Sequence, residues 1–187
     1  MVEKWIVPCR NLLILPGIPE TALAVERALC KLDNRILCDG LEVFRLVSSN
    51  ALDRIDYAIG LRTFTPLMCF SSFEHVDLSS SCMSLLDDDA LGSIVKSWPR
   101  LERLDLGTGF LWKIQPRLTF QGLVVVLLSC PNLRELGLVF DATKLDPLTA
   151  EKPGGGVCNM NITTLCVGCS PIEQPRRVGV SLSAVTN

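Results

Sequence analysis

A six-residue pattern returns at a nearly constant interval and constrains the fold more than any other feature of this chain. The pattern is apolar-x-x-apolar-x-apolar, and four segments match it: Phe73–Leu78, Leu101–Leu106, Leu133–Leu138 and Ile162–Val167. Their first residues lie 28, 32 and 29 positions apart, and a further step of 32 towards the N-terminus reaches Leu41–Leu46. The pattern alone is common in a leucine-rich chain, whereas a near-constant period indicates a repeat architecture.

A sixth and weaker copy is predicted near the N-terminus. It begins at Leu12 and continues to Leu15, and Gly17 stands where the last apolar residue is expected. Because alternate side chains of a strand point to opposite faces, the three apolar positions of each copy are expected to face a core. The pattern therefore predicts one short strand for each copy.

The segments between the copies show helical patterning. Asp87, Asp88 and Asp89 offer N-caps to a stretch that carries Leu91, Ile94, Val95 and Trp98 on one side. The other predicted helices run from Pro19 or Glu20 to about Lys31, around Ile55 after a cap at Asn50, from Thr119 to Cys130, and from Pro175 towards Ala184. A strand, a turn and a helix in each period is typical of the longer leucine-rich repeats.

One interval has no helical pattern. Residues 139–161 contain Asp146-Pro147 and the run Pro153–Gly156, which favour turns. A glycine-rich phosphate-binding loop would be followed by Gly-Lys-Ser/Thr and a helix, and neither follows here. We interpret residues 144–161 as a Gly/Pro surface loop within the domain.

These observations predict one α/β domain over residues 1–187, a leucine-rich-repeat solenoid of about five to six repeats. A curved parallel sheet is expected on the concave side, with helices and loops on the convex side. The alternative is a single α/β domain of another topology. The strands are predicted near residues 41–46, 73–78, 101–106, 133–138 and 162–167.

Charge and hydropathy limit the class of partner. Eighteen Lys and Arg residues nearly balance 20 Asp and Glu residues, so the chain lacks the basic excess of a nucleic-acid-binding protein. The longest apolar run, Leu123–Leu128, is far shorter than the ~20 residues needed to cross a bilayer, and no secretory signal is visible. We therefore expect a cytoplasmic or nuclear protein whose partner is a protein. Its nine cysteines are interpreted mostly as small buried residues, since their number is odd and their spacing irregular.

Positions three and five of each pattern are expected to form two rows across the concave face. Row three contains Val43, His75, Arg103, Glu135 and Thr164, and row five contains Arg45, Asp77, Asp105, Gly137 and Cys166. Position two adds a margin of Glu42, Glu74, Glu102 and Arg134. The predicted partner-binding residues are Arg45, His75, Asp77, Arg103, Asp105 and Glu135, with Arg103 as a possible anchor because arginine is enriched among binding hot spots. The alternative is a solvated face whose charges neutralise one another, for example Arg103 with Glu135.

The sequence gives little support to catalysis or metal binding. His75 is the only histidine, and a nucleophile needs a base held within hydrogen-bonding distance. Cys166 and Cys169 have a Cys-x-x-Cys spacing, but a structural zinc site needs four ligands, and Cys158 would supply only a third. We expect no enzyme activity, no cofactor and no metal site.

From Phe73 to Ser183 the chain resembles the leucine-rich-repeat region of fungal F-box proteins. The matching stretches are FEHVDL, SWPRLERLDL, RLTFQGLVVVLLSCPNLRELGLVFDAT and LCVGCSPIEQPRRV, which begin at residues 73, 97, 117 and 165. The resemblance implies a protein–protein interaction module that corresponds to the substrate-recognition part of an F-box ubiquitin-ligase receptor.

The chain departs from that family in one respect that bears on its partners. No F-box-like segment precedes the repeats, so binding of the ligase adaptor is not expected. The repeats also stop at Ala184–Asn187, where the family would continue into another strand. The alternative is a truncated orphan solenoid fragment without independent activity.

Overall fold

The fold is α/β and contains one all-parallel sheet of six strands. The structure is a computed structural model. It describes residues 8–15, 21–33, 35–47, 57–109, 111–144, 156 and 158–186. The helix predicted around Ile55 and most of the loop predicted over residues 144–161 lie outside these ranges.

The strands follow one another in the sheet in the order in which they occur in the chain, and every neighbouring pair is parallel. Five of them coincide with the five predicted strands, and each is shorter than its pattern. Their bounds are Asn11–Ile14 (β1), Val43–Leu46 (β2), His75–Leu78 (β3), Arg103–Leu106 (β4), Glu135–Leu138 (β5) and Thr164–Cys166 (β6).

The described residues also form five α-helices and two 3₁₀-helices. The α-helices are Ala22–Asp33 (α1), Leu61–Phe64 (α2), Asp88–Val95 (α3), Phe120–Ser129 (α4) and Pro175–Thr186 (α5), and the 3₁₀-helices are Thr65–Leu67 and Ala142–Lys144. The predictions for α3, α4 and α5 are confirmed, including the caps: Asp87 and Thr119 each accept a hydrogen bond from a first-turn N–H. The described part of α1 begins two residues after Glu20.

A backbone contact repeats at every step of the sheet. The carbonyl oxygen at position two of one copy accepts hydrogen bonds from the N–H groups at positions two and three of the next copy. At the centre, the Glu74 carbonyl accepts from Glu102 and Arg103 at 2.8 and 2.9 Å. The other four acceptors are the carbonyls of Arg10, Glu42, Glu102 and Arg134. The six copies are therefore equivalent in backbone geometry as well as in sequence.

This equivalence corrects the predicted N-terminal copy. Leu12 pairs with Phe44 and Ile14 with Leu46, so the copy begins at Cys9 and not at Leu12. Cys9, Leu12 and Ile14 occupy the apolar positions and pack against the core. The prediction was three residues out of register because a run of four apolar residues, 12–15, offers two alignments and cysteine is a weak apolar marker.

The core lies between the sheet and the helices. The apolar positions of the central copies are almost fully buried; Leu104 is 2% exposed and Leu136 1%. An aromatic cluster fills the space beneath β2 and β3, where the Phe73 ring lies 5.5 Å from the Trp98 ring at nearly a right angle. The Trp98 indole also donates to the Leu67 carbonyl at 3.2 Å, which satisfies its buried N–H.

Neighbouring helices α3 and α4 are joined through small and polar residues. Asp88, in the first turn of α3, accepts hydrogen bonds from the N–H and hydroxyl of Thr119, the N-cap of α4, at 2.9 and 2.6 Å. A Cβ on Gly122 would lie 2.4 Å from the Asp88 carboxylate, and a Cβ on Gly92 would lie 3.0 Å from Val125. Both glycines thus allow the two helices to approach.

The prediction that most cysteines are buried is wrong. All nine are free thiols, and only Cys82 and Cys130 are buried. The prediction neglected position: Cys166 occupies position five of its pattern and faces solvent, and Cys30 lies on an exposed side of α1. Burial raises the pKa of the Cys130 thiol to about 12, so this thiol stays protonated at neutral pH.

Candidate functional site

The register of the sheet brings the two predicted rows together on its exposed face. Val43, His75, Arg103, Glu135 and Thr164 are successive cross-strand partners, and so are Arg45, Asp77, Asp105, Gly137 and Cys166. On one face of a parallel sheet, neighbouring positions in a row lie ~4.8 Å apart. β1 extends the rows by one residue each, with Asn11 in row three and Leu13 in row five.

A shallow depression in this face contains all six predicted binding residues. Its lining consists of Arg45, His75, Val76, Asp77, Ser79, Arg103, Leu104, Asp105, Glu135, Leu136, Gly137, Thr164 and Cys166. Its volume is about 230 Å³, below the roughly 300–1,000 Å³ of ordinary small-molecule sites. The depression is therefore smaller and more charged than the mostly apolar pockets typical of small-molecule sites.

Arg103 and Glu135 form the closest ion pair on the face. The guanidinium and carboxylate are 2.9 Å apart, and the two side chains are 54% and 41% exposed. An exposed pair of this kind contributes about 0.2–1 kcal/mol to stability. The solvated-face alternative predicted this contact. The pairing also leaves both groups accessible, since neither is buried beneath other residues.

Asp105 is the most constrained side chain in the depression. Thr108 donates to its carboxylate from the backbone N–H at 3.2 Å and from the hydroxyl at 2.6 and 2.8 Å. The carboxylate lies over Gly137 of the next strand, where a Cβ would be 2.6 Å away. The absence of a side chain at Gly137 therefore makes room for Asp105.

Partial burial of this carboxylate raises the pKa of Asp105 above its usual value. Hydrogen bonds from Thr108 oppose the rise, and the neighbouring Asp77 carboxylate adds to it. Like charges directly opposite one another on adjacent strands are destabilising. The centre of the face thus carries negative charge whose stabilisation by the protein is incomplete.

Cations border this acidic centre. Arg45 precedes Asp77 in row five and is exposed, and within the described part of the chain it forms no ion pair. Along the position-two margin, Arg10 approaches Glu42 at 3.8 Å. A similar contact joins Arg100, which precedes a pattern, to Glu74 at 3.4 Å. The sign of the charge on this face therefore alternates over a distance of one or two strands.

The face does not bring His75 close to the cysteine pair. His75 is on β3 and Cys166 on β6, three strands away and in the other row, so more than about 14 Å separates their backbones. That distance is far beyond hydrogen-bonding reach. The second cysteine of the pair, Cys169, instead accepts a weak hydrogen bond from the Trp112 N–H, with sulfur and nitrogen 3.4 Å apart.

The loop that follows β4 was not predicted. The Trp112 indole N–H donates to the Gly107 carbonyl at 3.0 Å, and Gly107 has a φ of 82°, which favours glycine. A Cβ at Gly107 would lie 2.2 Å from the Trp112 ring. The folded-back loop leaves Leu111 79% exposed. The Gly-Thr-Gly sequence after β4 was a turn signal that could have indicated it.

No protein-family model matches the chain, and no curated protein is significantly similar to it. Within the described ranges, no helix is long and apolar enough to span a bilayer. The same residues include no group of three or more His, Cys, Asp or Glu side chains arranged to hold a metal ion. Arguments about function therefore depend on the exposed face itself.

Proposed function

We propose that the chain is a leucine-rich-repeat solenoid that binds a protein partner through the exposed, concave face of its sheet. The observation that supports this function best is the convergence of all six predicted residues in one depression. Their side chains are not part of the core, because positions one, four and six of each pattern supply it.

Position nine of each copy, three residues after the last apolar strand residue, is Asn or Cys in the leucine-rich-repeat consensus, and other small polar residues stand there in part of this chain. Here that position is Ser81, Asp141 or Ser170 in three copies, and the first two are buried. The Ser170 hydroxyl accepts from the Phe140 N–H at 3.0 Å, so it satisfies a backbone group of the preceding copy.

The charge pattern favours a protein partner with its own mixed charges. Arg45 and Arg103 suit carboxylates, and Asp77 and Asp105 suit a lysine or arginine. Electrostatic complementarity of this kind selects partners more than it raises affinity. The resemblance to F-box proteins would make such a partner the substrate of a ubiquitin ligase, and the orphan fragment without activity remains the alternative.

Affinity capture with quantitative mass spectrometry tests the proposal. The unchanged chain, an Arg45→Glu/Arg103→Glu variant and an Arg62→Glu/Arg176→Glu variant would each be used as bait in extract of the source cells. The last is a matched control, since it makes the same change in net charge at exposed residues away from the face. We expect one stoichiometric protein that the unchanged chain and the control retain. Affinity for the face variant should fall at least about tenfold, as for loss of a charged contact.

Other outcomes would contradict the proposal in distinct ways. Equal capture by all three baits would place the binding surface elsewhere on the molecule. Recovery of chaperones alone would favour the orphan fragment, and recovery of a ligase adaptor would indicate a docking segment within the chain. Thermal unfolding of each bait confirms that all three are folded before capture.

A further inference from the structure

A second surface lies at the opposite side of the sheet, between the edge strand β1 and helix α1. Its floor consists of Leu12 and Ile14 from the strand and Ala24 and Ala28 from the helix. Its rim consists of Arg27, Lys31 and Arg35, all of them exposed. We call these seven residues the α1 groove. It contains no acidic side chain.

The groove has the outline of a helix-packing site. In the middle of the molecule the corresponding flank of α4 is covered by α3, which approaches over small residues such as Gly122. On α1, residues 24, 27, 28 and 31 share one side of the helix, since they are three and four positions apart. Ala24 and Ala28 are the small residues of this side. The flank from Ala24 to Lys31 is about 10 Å long, which is two helical turns.

The cations on the rim have no partner within the described part of the chain. Arg27, Lys31 and Arg35 take part in no ion pair there, whereas Arg10, Arg100 and Arg103 do. These three positive charges beside an apolar floor make the local electrostatic potential positive, and a positive potential attracts anions. A ligand that carries carboxylates beside an apolar surface gains affinity here from both, because the floor buries its apolar surface and the cations attract its carboxylates.

We propose that the α1 groove binds an acidic amphipathic helix of a partner protein. The apolar side of that helix lies against Leu12, Ile14 and the two alanines, and its carboxylates contact Arg27, Lys31 and Arg35. The site is separate from the exposed sheet face described above, because core-facing residues of β1 form its floor. It requires no partner on that face.

The shape of the groove favours a protein helix over a lipid surface. Membrane-binding helices present large apolar side chains that protrude into the acyl region. Here the apolar lining consists of half-buried Leu12, Ile14 and Ala24 and the small side chain of Ala28, and the long basic side chains of the rim are exposed. Leucine side chains of a docked helix can reach such a floor while its glutamates meet the rim.

The test is a selection from a displayed library of helical peptides, with the full chain as target. The counter-target is the Ala28→Trp variant, whose indole fills the groove from a site that is exposed at present. We expect the selected peptides to carry apolar residues at i, i+3 and i+4, flanked by Asp or Glu. Their dissociation constants, measured by fluorescence anisotropy, should rise at least about tenfold for Arg27→Glu/Lys31→Glu. They should not change for the control Arg62→Glu/Arg176→Glu.

Three outcomes would overturn the proposal. One is the absence of any peptide that distinguishes the full chain from the Ala28→Trp variant. Another is selection of neutral or basic peptides, or of acidic peptides whose affinity survives reversal of Arg27 and Lys31. The third is binding to phosphatidylserine vesicles that Arg27→Glu/Lys31→Glu abolishes while no peptide binds, which would assign the groove to a membrane. Circular dichroism of each variant shows whether α1 remains folded.

Discussion

The middle and the ends of the sheet use the same pattern but bury it to different degrees. Position four is leucine in β1, β4, β5 and β6. In the two inner strands of these four, Leu104 and Leu136 are buried, whereas Leu12 and Leu165 at the edges are only partly buried. The local sequence is equivalent, so the difference arises from the neighbouring copies. The apolar residues of one copy are fully buried only when a neighbouring copy packs on each side of it.

The helices show the same contrast. Helices α3 and α4 lie against one another, and their glycines face side chains of the neighbouring helix. In α5, a Cβ on Gly179 would meet nothing within 4 Å. Glycine therefore serves close packing in the middle and serves no packing role at this end.

The largest expected difference comes from deleting the same side chain in the middle and at an edge. Leu104→Ala should lower the free energy of unfolding by roughly 2–5 kcal/mol, because it leaves a cavity in a closed core. Leu165→Ala should lower it by less than about 2 kcal/mol, since its side chain already contacts solvent. Urea unfolding followed by circular dichroism measures both. Equal losses would show that the edge strands are as well packed as the middle.

Gly137→Ala should destabilise the chain by roughly 1–3 kcal/mol, the usual effect of inserting a methyl group into a packed site. The new Cβ would lie 2.6 Å from the Asp105 carboxylate, which Thr108 holds in place. Thr108→Val should allow the Asp105 carboxylate to move. In a double-mutant cycle, Gly137→Ala should therefore lower the free energy of unfolding by less in the Thr108→Val background than in the unchanged chain. An additive cycle would mean that Thr108 does not restrain the carboxylate.

Gly179→Ala should stabilise the chain by about 0.5–1 kcal/mol, because alanine has the higher helix propensity and this position is open. The matched substitution in the middle, Gly92→Ala, would bring its Cβ to 3.0 Å from Val125 and should gain less or lose stability. Thermal unfolding of the two variants compares them directly. A larger gain at Gly92 would contradict the described packing of α3 on α4.

The smallest expected effect concerns the charge at the centre of the face. Because the folded-state pKa of Asp105 is raised, ionisation favours the unfolded chain, and the resulting penalty is present at neutral pH. The penalty decreases as the pH falls below the folded-state pKa and is gone once the pH is below the unfolded-state pKa. Asp105→Asn should therefore stabilise the chain at pH 7 by about 0.5 kcal/mol, the size of one cross-strand charge interaction.

The pH dependence separates this prediction from a simple packing effect. Near pH 3, where Asp105 in the unchanged chain is protonated, the difference in unfolding free energy between the two proteins should vanish. Urea titrations at pH 7 and pH 3 provide the measurement. If Asp105→Asn were destabilising at pH 7 and neutral at pH 3, the hydrogen bonds from Thr108 would outweigh the burial of the charge.

Periodicity in the sequence predicted the strands, the faces of their side chains and the rows of the exposed face. These features depend on local alternation and on a constant repeat length, both visible in residues such as Leu101, Leu104 and Leu106. The sequence also predicted the helix caps, because the side chains of Asp87 and Thr119 accept hydrogen bonds from N–H groups in the first turns of the helices they precede.

Features that depend on contacts between copies were missed. The N-terminal copy was placed at Leu12 because its true register is decided by pairing with β2. The room for Asp105 in the depression depends on Gly137 in the next strand. The α1 groove depends on the position of β1 and α1 at the edge of the sheet. That seven of the nine cysteines are not buried was likewise missed, since residue type alone does not determine which side of an element faces solvent.

The hydrogen bonds that recur at position two have a consequence for how the exposed face can change over time. They join backbone to backbone, so each strand is held in register whatever side chains its face carries. Substitutions at positions three and five can therefore accumulate without breaking these bonds, except at Gly137, where an added Cβ would collide with Asp105. A gene that duplicates or loses one period would lengthen or shorten both rows by one residue, giving new surfaces from an unchanged frame.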